Sequence, residues 1–280
     1  MKSANFSKIV VIQSLGENDF HTGIKLHEDI DVLNVAYDKG LKVEFVDVLD
    51  KVGLIKCLED QIVDAQVSGF RPLLHIEAHG SAEKDGLVLK NGFISWQELK
   101  EPLTKLNELT KCHLIVVFAA CYGAHFLSCL SVIDRAPCWA AIGPKKTLSA
   151  ESILSSFTAF YREILETGKG GKAVRLLNET LSKVETPYLF IPAESFFTKV
   201  YQGYLSIYCS PEALNNRARK MSRKLKKIGA VKQPGKGHLK RMLKSTQEGS
   251  FLKYKRHFFM MDIYPENELR FTVEYLDIVA

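Results

Sequence analysis

The chain lacks several features that would point to common function classes. No apolar run approaches the roughly 20 residues of a membrane-spanning helix, so no membrane span is expected. There are six cysteines (Cys57, Cys112, Cys121, Cys129, Cys138 and Cys209), but no C-x-x-C pair and no clustered Cys/His spacing. A dithiol redox centre and a zinc site are therefore not expected, and neither is any cofactor. The start, MKSANFSKIVVIQSLGEND, lacks the long apolar stretch and small-residue cleavage site of a secretory leader. It suits a first buried strand, and free thiols then fit a cytoplasmic location. No internal repeat or low-complexity tract is present.

One further absence is local. Between Ala213 and Gln247 there are 12 Lys/Arg and no Asp or Glu, so the formal net charge of +6 is unevenly spread and the rest of the chain carries −6. A mildly acidic body carries one basic segment.

The first half alternates two periodicities. Lys8 to Leu15 and Val43 to Val48 are β-branched runs that predict strands, and Pro72 to Gly80 is a third, ended by glycine. Helical spacing is found between them, over Ile24–Tyr37 (Leu26, Ile30, Leu33) and Val52–Val67 (Ile55, Leu58, Ile62). Asn91-Gly92 between Gly86–Lys90 and Phe93–Trp96 signals a hairpin. Ser95 and Glu98 have capping-box spacing and open a helix to about Leu106.

His113 to Cys121 is nearly all apolar, as a central parallel strand buried on both faces requires, and Cys138 to Gly143 is a fifth strand. Ser152–Leu165 and Lys172–Leu181 are helical by spacing, Tyr188–Pro192 is a strand, and a helix follows from Glu194 to about Tyr208. Leu214, Ala218, Met221, Leu225 and Ile228 mark an amphipathic helix with a basic outer face, broken by Gln233-Pro-Gly-Lys-Gly. His257–Tyr264 and Leu269–Tyr275 have the composition of a closing strand pair. The β-α-β-α-β order implies a parallel sheet covered on both faces, with its site beyond the carboxyl ends of the strands.

Two such ends carry reactive side chains, in Ala78-His79-Gly80 and Ala120-Cys121-Tyr122-Gly123. A nucleophilic cysteine must be exposed at the end of a rigid element and near a proton carrier. The glycines let the backbone turn and approach a substrate. An isolated cysteine at a strand end is more often a small buried hydrophobe. The matching position of His79 on another strand favours chemistry. Cys57, Cys112, Cys129, Cys138 and Cys209 lack such a partner and suit packing. His75 is placed as a core histidine and His125 as structural. Glu77, two residues before His79, has two readings: it orients His79, or it meets solvent or a lysine at the strand end.

Ala119-Ala120-Cys121-Tyr122-Gly123, with His79-Gly80 upstream, resembles the Q-A-C-x-G motif of caspases and their upstream histidine. The hairpin, helix and Ala-Cys strand after His-Gly resemble the prokaryotic caspase-like group called CHAT, and the resemblance runs over roughly Lys8 to Leu181. It implies a caspase-like three-layer α/β sandwich with a mainly parallel central sheet over 1–210. A basic helical extension with closing strands would occupy 211–280. It also implies a cysteine endopeptidase: Cys121 attacks the scissile carbonyl, and His79 protonates the leaving amine and then activates water. The backbone N–H groups of Gly80 and Cys121 would form the oxyanion hole, each donor worth roughly 3–4 kcal/mol. The family needs no third catalytic residue. Its standalone bacterial members belong to defence or cell-death systems, cleave a partner protein, and often wait for an activating partner or self-cleavage.

The sequence departs from the caspase pattern where aspartate is recognised. His21 stands in place of the arginine in Asn18-Asp19-Phe20-His21-Thr22-Gly23, and Ala119 replaces the glutamine. Ala119 also lacks the aspartate that metacaspases carry two residues before cysteine. After the fifth strand, Lys145 or Lys146 would favour an acidic substrate residue and Glu151 a basic one, although Ser149–Glu151 also suits a plain helix start. The balance leans to a basic or small residue. Two other function classes stay open: a catalytically silent binding module, and a nucleic-acid or anionic-surface binder using the basic segment. No Phe, Tyr or Trp lies between Arg217 and Lys244, which argues against base stacking there.

Overall fold

The computed structural model describes residues 5–180, 187–229 and 234–279. They divide into two compact units. One holds residues up to Cys129 with Ala136–Ala193, and the other holds Leu130–Arg135 with residues from Glu194 onward. The second unit thus begins ahead of the expected boundary at 210 and includes the preceding helix.

In the first unit the strands are β1 (Lys8–Ser14), β2 (Lys42–Asp47), β3 (Pro72–Gly80), β4 (Gly86–Leu89), β5 (Gly92–Ser95), β6 (Ile115–Ala119), β7 (Ala140–Pro144) and β8 (Tyr188–Pro192). The main sheet has the order β2-β1-β3-β6-β7-β8. Its first five strands are parallel, and β8 runs antiparallel to β7. This is the mainly parallel α/β sheet the strand–helix alternation predicts. The β4–β5 hairpin extends from the end of β3 through His79↔Val88 and Gly80↔Leu87.

The helices are α1 (Thr22–Ala36), α2 (Lys51–Ser68), α3 (Trp96–Leu109), α4 (Ala150–Thr167) and α5 (Gly170–Glu179). Alternate residues of the central strands explain the layers. Ile9, Val11, Leu73, Ile115 and Val117 join Leu26 and Ile30 of α1 and Phe157, Phe160 and Tyr161 of α4 in one core cluster. Residues of opposite parity, including Val10, Ile12, Leu74, Ile76, Val116 and Phe118, are also buried. There Trp96 of α3 packs edge-on against Phe118. Continuous apolar strands are what two covered faces demand.

Local signals account for several boundaries. Asp50 caps α2 by accepting from Gly53 N–H, and Gly69 ends it at φ +67°. Ser95 and Glu98 form the expected capping box, and α3 runs on to Leu109. The expected helix end at Leu181 and the break at Gln233 lie outside the described residues.

The hairpin differs from expectation by one residue. Gly92 pairs with Leu89, so Lys90 and Asn91 form the turn. The Asn91 N–H donates to the Leu49 carbonyl and the Lys90 N–H to the Ser14 hydroxyl. These tertiary bonds fix the tip, and Gly92 alone supplies positive φ there.

The second unit contains α6 (Ala193–Tyr208, from Glu194), α7 (Pro211–Lys227), α8 (Lys236–Ser245), α9 (Gln247–Phe258) and α10 (Tyr275–Val279). Its core is aromatic: Phe197 contacts Tyr201, Phe251, Phe258 and Phe259, and Phe259 stacks on Phe271. The expected strand pair at His257–Tyr264 and Leu269–Tyr275 is not formed. The first stretch finishes α9 and turns through Met260 at φ +57°, and a 3-10 turn covers Pro265–Leu269. Buried rings packed against α6 place these aromatic residues without any sheet to join, so packing overrides their strand propensity. Among the described residues, no helix is long and apolar enough to cross a membrane.

Candidate active site at the carboxyl edge of the sheet

The last paired rung between β3 and β6 is Glu77↔Ala119, and His79 and Cys121 each stand two residues beyond it. Adjacent parallel strands thus deliver both residues to one edge of the sheet, although they are 42 positions apart in the sequence. Gly80 sits hard against the segment that follows β6: a Cβ built on it would fall 1.7 Å from the Cys121 carbonyl oxygen. Only glycine permits that approach.

The turn after β6 is tight. Tyr122 adopts φ +60°, and the Gly123 N–H donates to the Ala120 carbonyl. A non-glycine residue in this region costs on the order of 1–3 kcal/mol and marks a turn held by its surroundings. A Cβ on Gly123 would meet Phe118 at 2.7 Å, and one on Gly143 would meet the Ala124 nitrogen at 2.8 Å. The chain after Cys121 is therefore fitted closely over β6 and β7. Cys121 is half-buried, so its sulfur is neither sealed in the core nor free of the scaffold.

Sequence reasoning missed the residue that holds His79. The side chain of His79 is 58% exposed, and its Nε2 lies 2.9 Å from Oδ2 of Asp19, in the loop after β1. The same carboxylate oxygen accepts from the Gly16 N–H at 2.7 Å, and the Asp19 N–H returns to the Gly16 carbonyl. Gly16 and Asp19 thereby lock one turn. The hydrogen bond from His79 holds the Asp19 carboxyl below its ordinary pKa, against the opposing effect of partial burial. An ionised Asp19 accepts from Nε2–H and leaves Nδ1 of His79 for another partner. The Gly16-x-x-Asp19 spacing was the available signal.

Glu77 does neither thing expected of it. It is 1% exposed. Its carboxylate accepts from the Thr22 hydroxyl and lies 3.0 Å from His75 Nε2. His75 Nδ1 is 3.1 Å from the Tyr161 hydroxyl. The same-face rule does apply, but it pairs Glu77 with His75 behind it rather than with His79 ahead. His75 is a buried core histidine, as expected.

The remaining candidates separate. His21 lies at the start of α1, with Nδ1 2.9 Å from Gln13 Nε2. The Gln13 carbonyl oxygen accepts from the Gly23 N–H, so its amide nitrogen is the donor toward His21. His21 Nδ1 is then the acceptor of that bond. Ala119 is 4% exposed and belongs to the core cluster, so its methyl faces the core instead of a pocket. Lys145 is exposed beyond the end of β7, with its N–H donating to the Pro187 carbonyl. Glu151 is exposed in the first turn of α4, behind the capping Ser149.

All six cysteines are free thiols. Burial pushes the Cys57 thiol up to about 12 and the Cys138 thiol well above its usual value, which leaves both unreactive. A scan of protein-family models gave no match to this chain, and a search of curated proteins found none.

Proposed function

We propose that this protein is a caspase-like cysteine endopeptidase with Cys121 as nucleophile and His79 as proton carrier. The reading is carried by the meeting of His79-Gly80 and Cys121 at the ends of two adjacent parallel strands, with Asp19 on Nε2 of the histidine.

With Nε2–H donating to Asp19, Nδ1 of His79 accepts the thiol proton. The sulfur attacks the scissile carbonyl, and the developing oxyanion is held by the backbone N–H groups of Gly80 and Cys121. His79 returns the proton to the departing amine, leaving a thioester. It then takes a proton from water, which attacks the thioester and frees the sulfur. Asp19 fixes the ring and offsets the imidazolium charge, as an orienting carboxylate does in related triads.

His21, tied to Gln13 through Nδ1, and core-facing Ala119 leave neither the arginine nor the glutamine that caspases use to read aspartate at these two positions. A basic or small residue before the cut is the preference we assign, with exposed Glu151 as the nearest supporting carboxylate in sequence and Lys145 opposing it. The natural substrate would be a partner protein, in a defence or cell-death setting.

A positional peptide library, read by mass spectrometry with wild type beside Cys121→Ala, tests the proposal. Cleavage that depends on Cys121 is expected. Cleavage of equal rate in Cys121→Ala removes the proposal, and strong selection for aspartate removes the specificity assignment alone.

A further inference from the structure

The second unit carries a surface that the proposed chemistry does not use. On α7, Arg219, Lys220, Arg223, Lys224, Lys226 and Lys227 are exposed, and on α8, which packs against α7, Lys236, Arg241 and Lys244 are exposed. Among the described residues, none of these nine has a carboxylate within ion-pair distance.

Fold stability does not account for this charge. Lys224, Lys226 and Lys227 occupy the last turn of α7, where cations favour the helix dipole. Lys244 sits likewise in the last turn of α8, and the other five have no such reason. Arg219–Arg223, Lys220–Lys224 and Arg223–Lys227 are like-charge pairs at i,i+4, each unfavourable by about 0.2–0.5 kcal/mol. Such a face is stabilised by a polyanion that neutralises it.

We infer that the α7–α8 surface binds double-stranded nucleic acid through its phosphates, without reading base sequence. The absence of Phe, Tyr and Trp from Arg217 to Lys244 removes the stacking platforms that single strands require. A membrane surface fits less well. The apolar line of α7 is spent in the protein core, with Leu214 at 5% and Ala218 at 2% exposure. Only Met221, Ile228 and Met242 are exposed large apolar side chains on these two helices and the end of α7, and no aromatic ring is available to enter a bilayer interface. Helical cations spaced along one element do suit a phosphodiester backbone, whose charges recur at short, regular intervals.

Fluorescence anisotropy of full-length protein with a short labelled DNA duplex of arbitrary sequence tests the inference, titrated between about 50 and 200 mM salt. A rigid duplex reaching about five of the nine cations gives a slope of log K against log salt near −4.5, or a roughly 500-fold loss over that range. The triple variant Arg219→Ala/Lys220→Ala/Arg223→Ala should lower affinity at least tenfold at low salt and reduce the slope by about 2.7. Arg241→Ala/Lys244→Ala, on the other helix, should reduce it by about 1.8. Lys39→Ala/Lys56→Ala/Lys105→Ala, which removes three exposed lysines of the first unit, should change neither. Circular dichroism melting establishes that each variant is folded. No duplex binding at about 50 mM salt overturns the inference. So does binding that the α7 and α8 variants leave intact, or binding to phosphatidylserine vesicles in place of the duplex.

Discussion

Strand β3 carries two histidines four residues apart, each on a carboxylate, and their surroundings make them different objects. His75 is fully buried on Glu77, with Thr22 and Tyr161 completing the network. His79 is more than half exposed on Asp19, at the edge where Cys121 emerges. The chemical groups are the same. Burial turns the first pair into part of the core, where every polar atom must be satisfied at high cost of loss. Exposure makes the second pair weak as a structural tie but leaves an imidazole nitrogen accessible to a reacting group.

The sharpest break of this comparison removes each histidine in turn. His79→Ala should lower kcat/KM for a cleaved peptide by about 10²–10⁴-fold while leaving unfolding in urea nearly unchanged. His75→Ala should do the reverse. It leaves Glu77 buried with one partner fewer and opens space beside Phe157, so stability should fall by about 3–5 kcal/mol. A residual activity per folded molecule close to wild type is expected for that variant. If His75→Ala and His79→Ala lose activity and stability together, the division between them is wrong. Glu77→Gln belongs with His75: a loss of about 1–3 kcal/mol in stability with turnover per folded molecule unchanged.

The next effect in size concerns the seam between the strands. Gly80→Ala would place a methyl inside the Cys121 carbonyl, so the two main chains must separate. A cost of about 1–3 kcal/mol is expected, with activity lost further than stability predicts, because the displaced peptide belongs to the proposed oxyanion site. Gly203→Ala, where a Cβ meets nothing within 4 Å, is the matched control and should be neutral or slightly stabilising. Differential scanning fluorimetry beside peptide turnover checks both.

How much of this was legible in the sequence follows physical lines. The central strands were, because two covered faces force unbroken apolar runs such as Ile115–Ala119. The meeting of His79 and Cys121 at one edge of the sheet was, because a parallel sheet brings its carboxyl ends together whatever the loops contain. Asp19 was not, since its role depends on a turn closed by Gly16 and on the direction His79 takes after leaving the sheet. Glu77 was misassigned because the period of a strand says which face a side chain shares, not which neighbour it meets. The aromatic tail from His257 onward was misassigned because β-propensity there measures fit to a buried surface, and α6 supplies that surface without a sheet.

The smallest expected effect is the most specific to the exposed pair. Asp19→Asn keeps the size of the side chain and removes its charge. Its ordinary carboxyl value is about 3.9, and the bond from His79 lowers it in the folded protein. A lowered folded value means that the carboxylate adds stability at pH above its ordinary range, and that this is lost as pH falls through the folded value. The difference in unfolding free energy between wild type and Asp19→Asn should thus shrink as pH falls below about 4. Its plateau should stay under about 1 kcal/mol, because both partners face solvent. The kinetic effect should be larger than the structural one, with kcat lowered roughly tenfold to a hundredfold and KM little changed. Asp19→Glu, which restores charge at a different reach, should recover stability before it recovers kcat. A variant pair in which kcat follows charge alone would mean that Asp19 acts as a distant counter-ion and does not hold the ring in place.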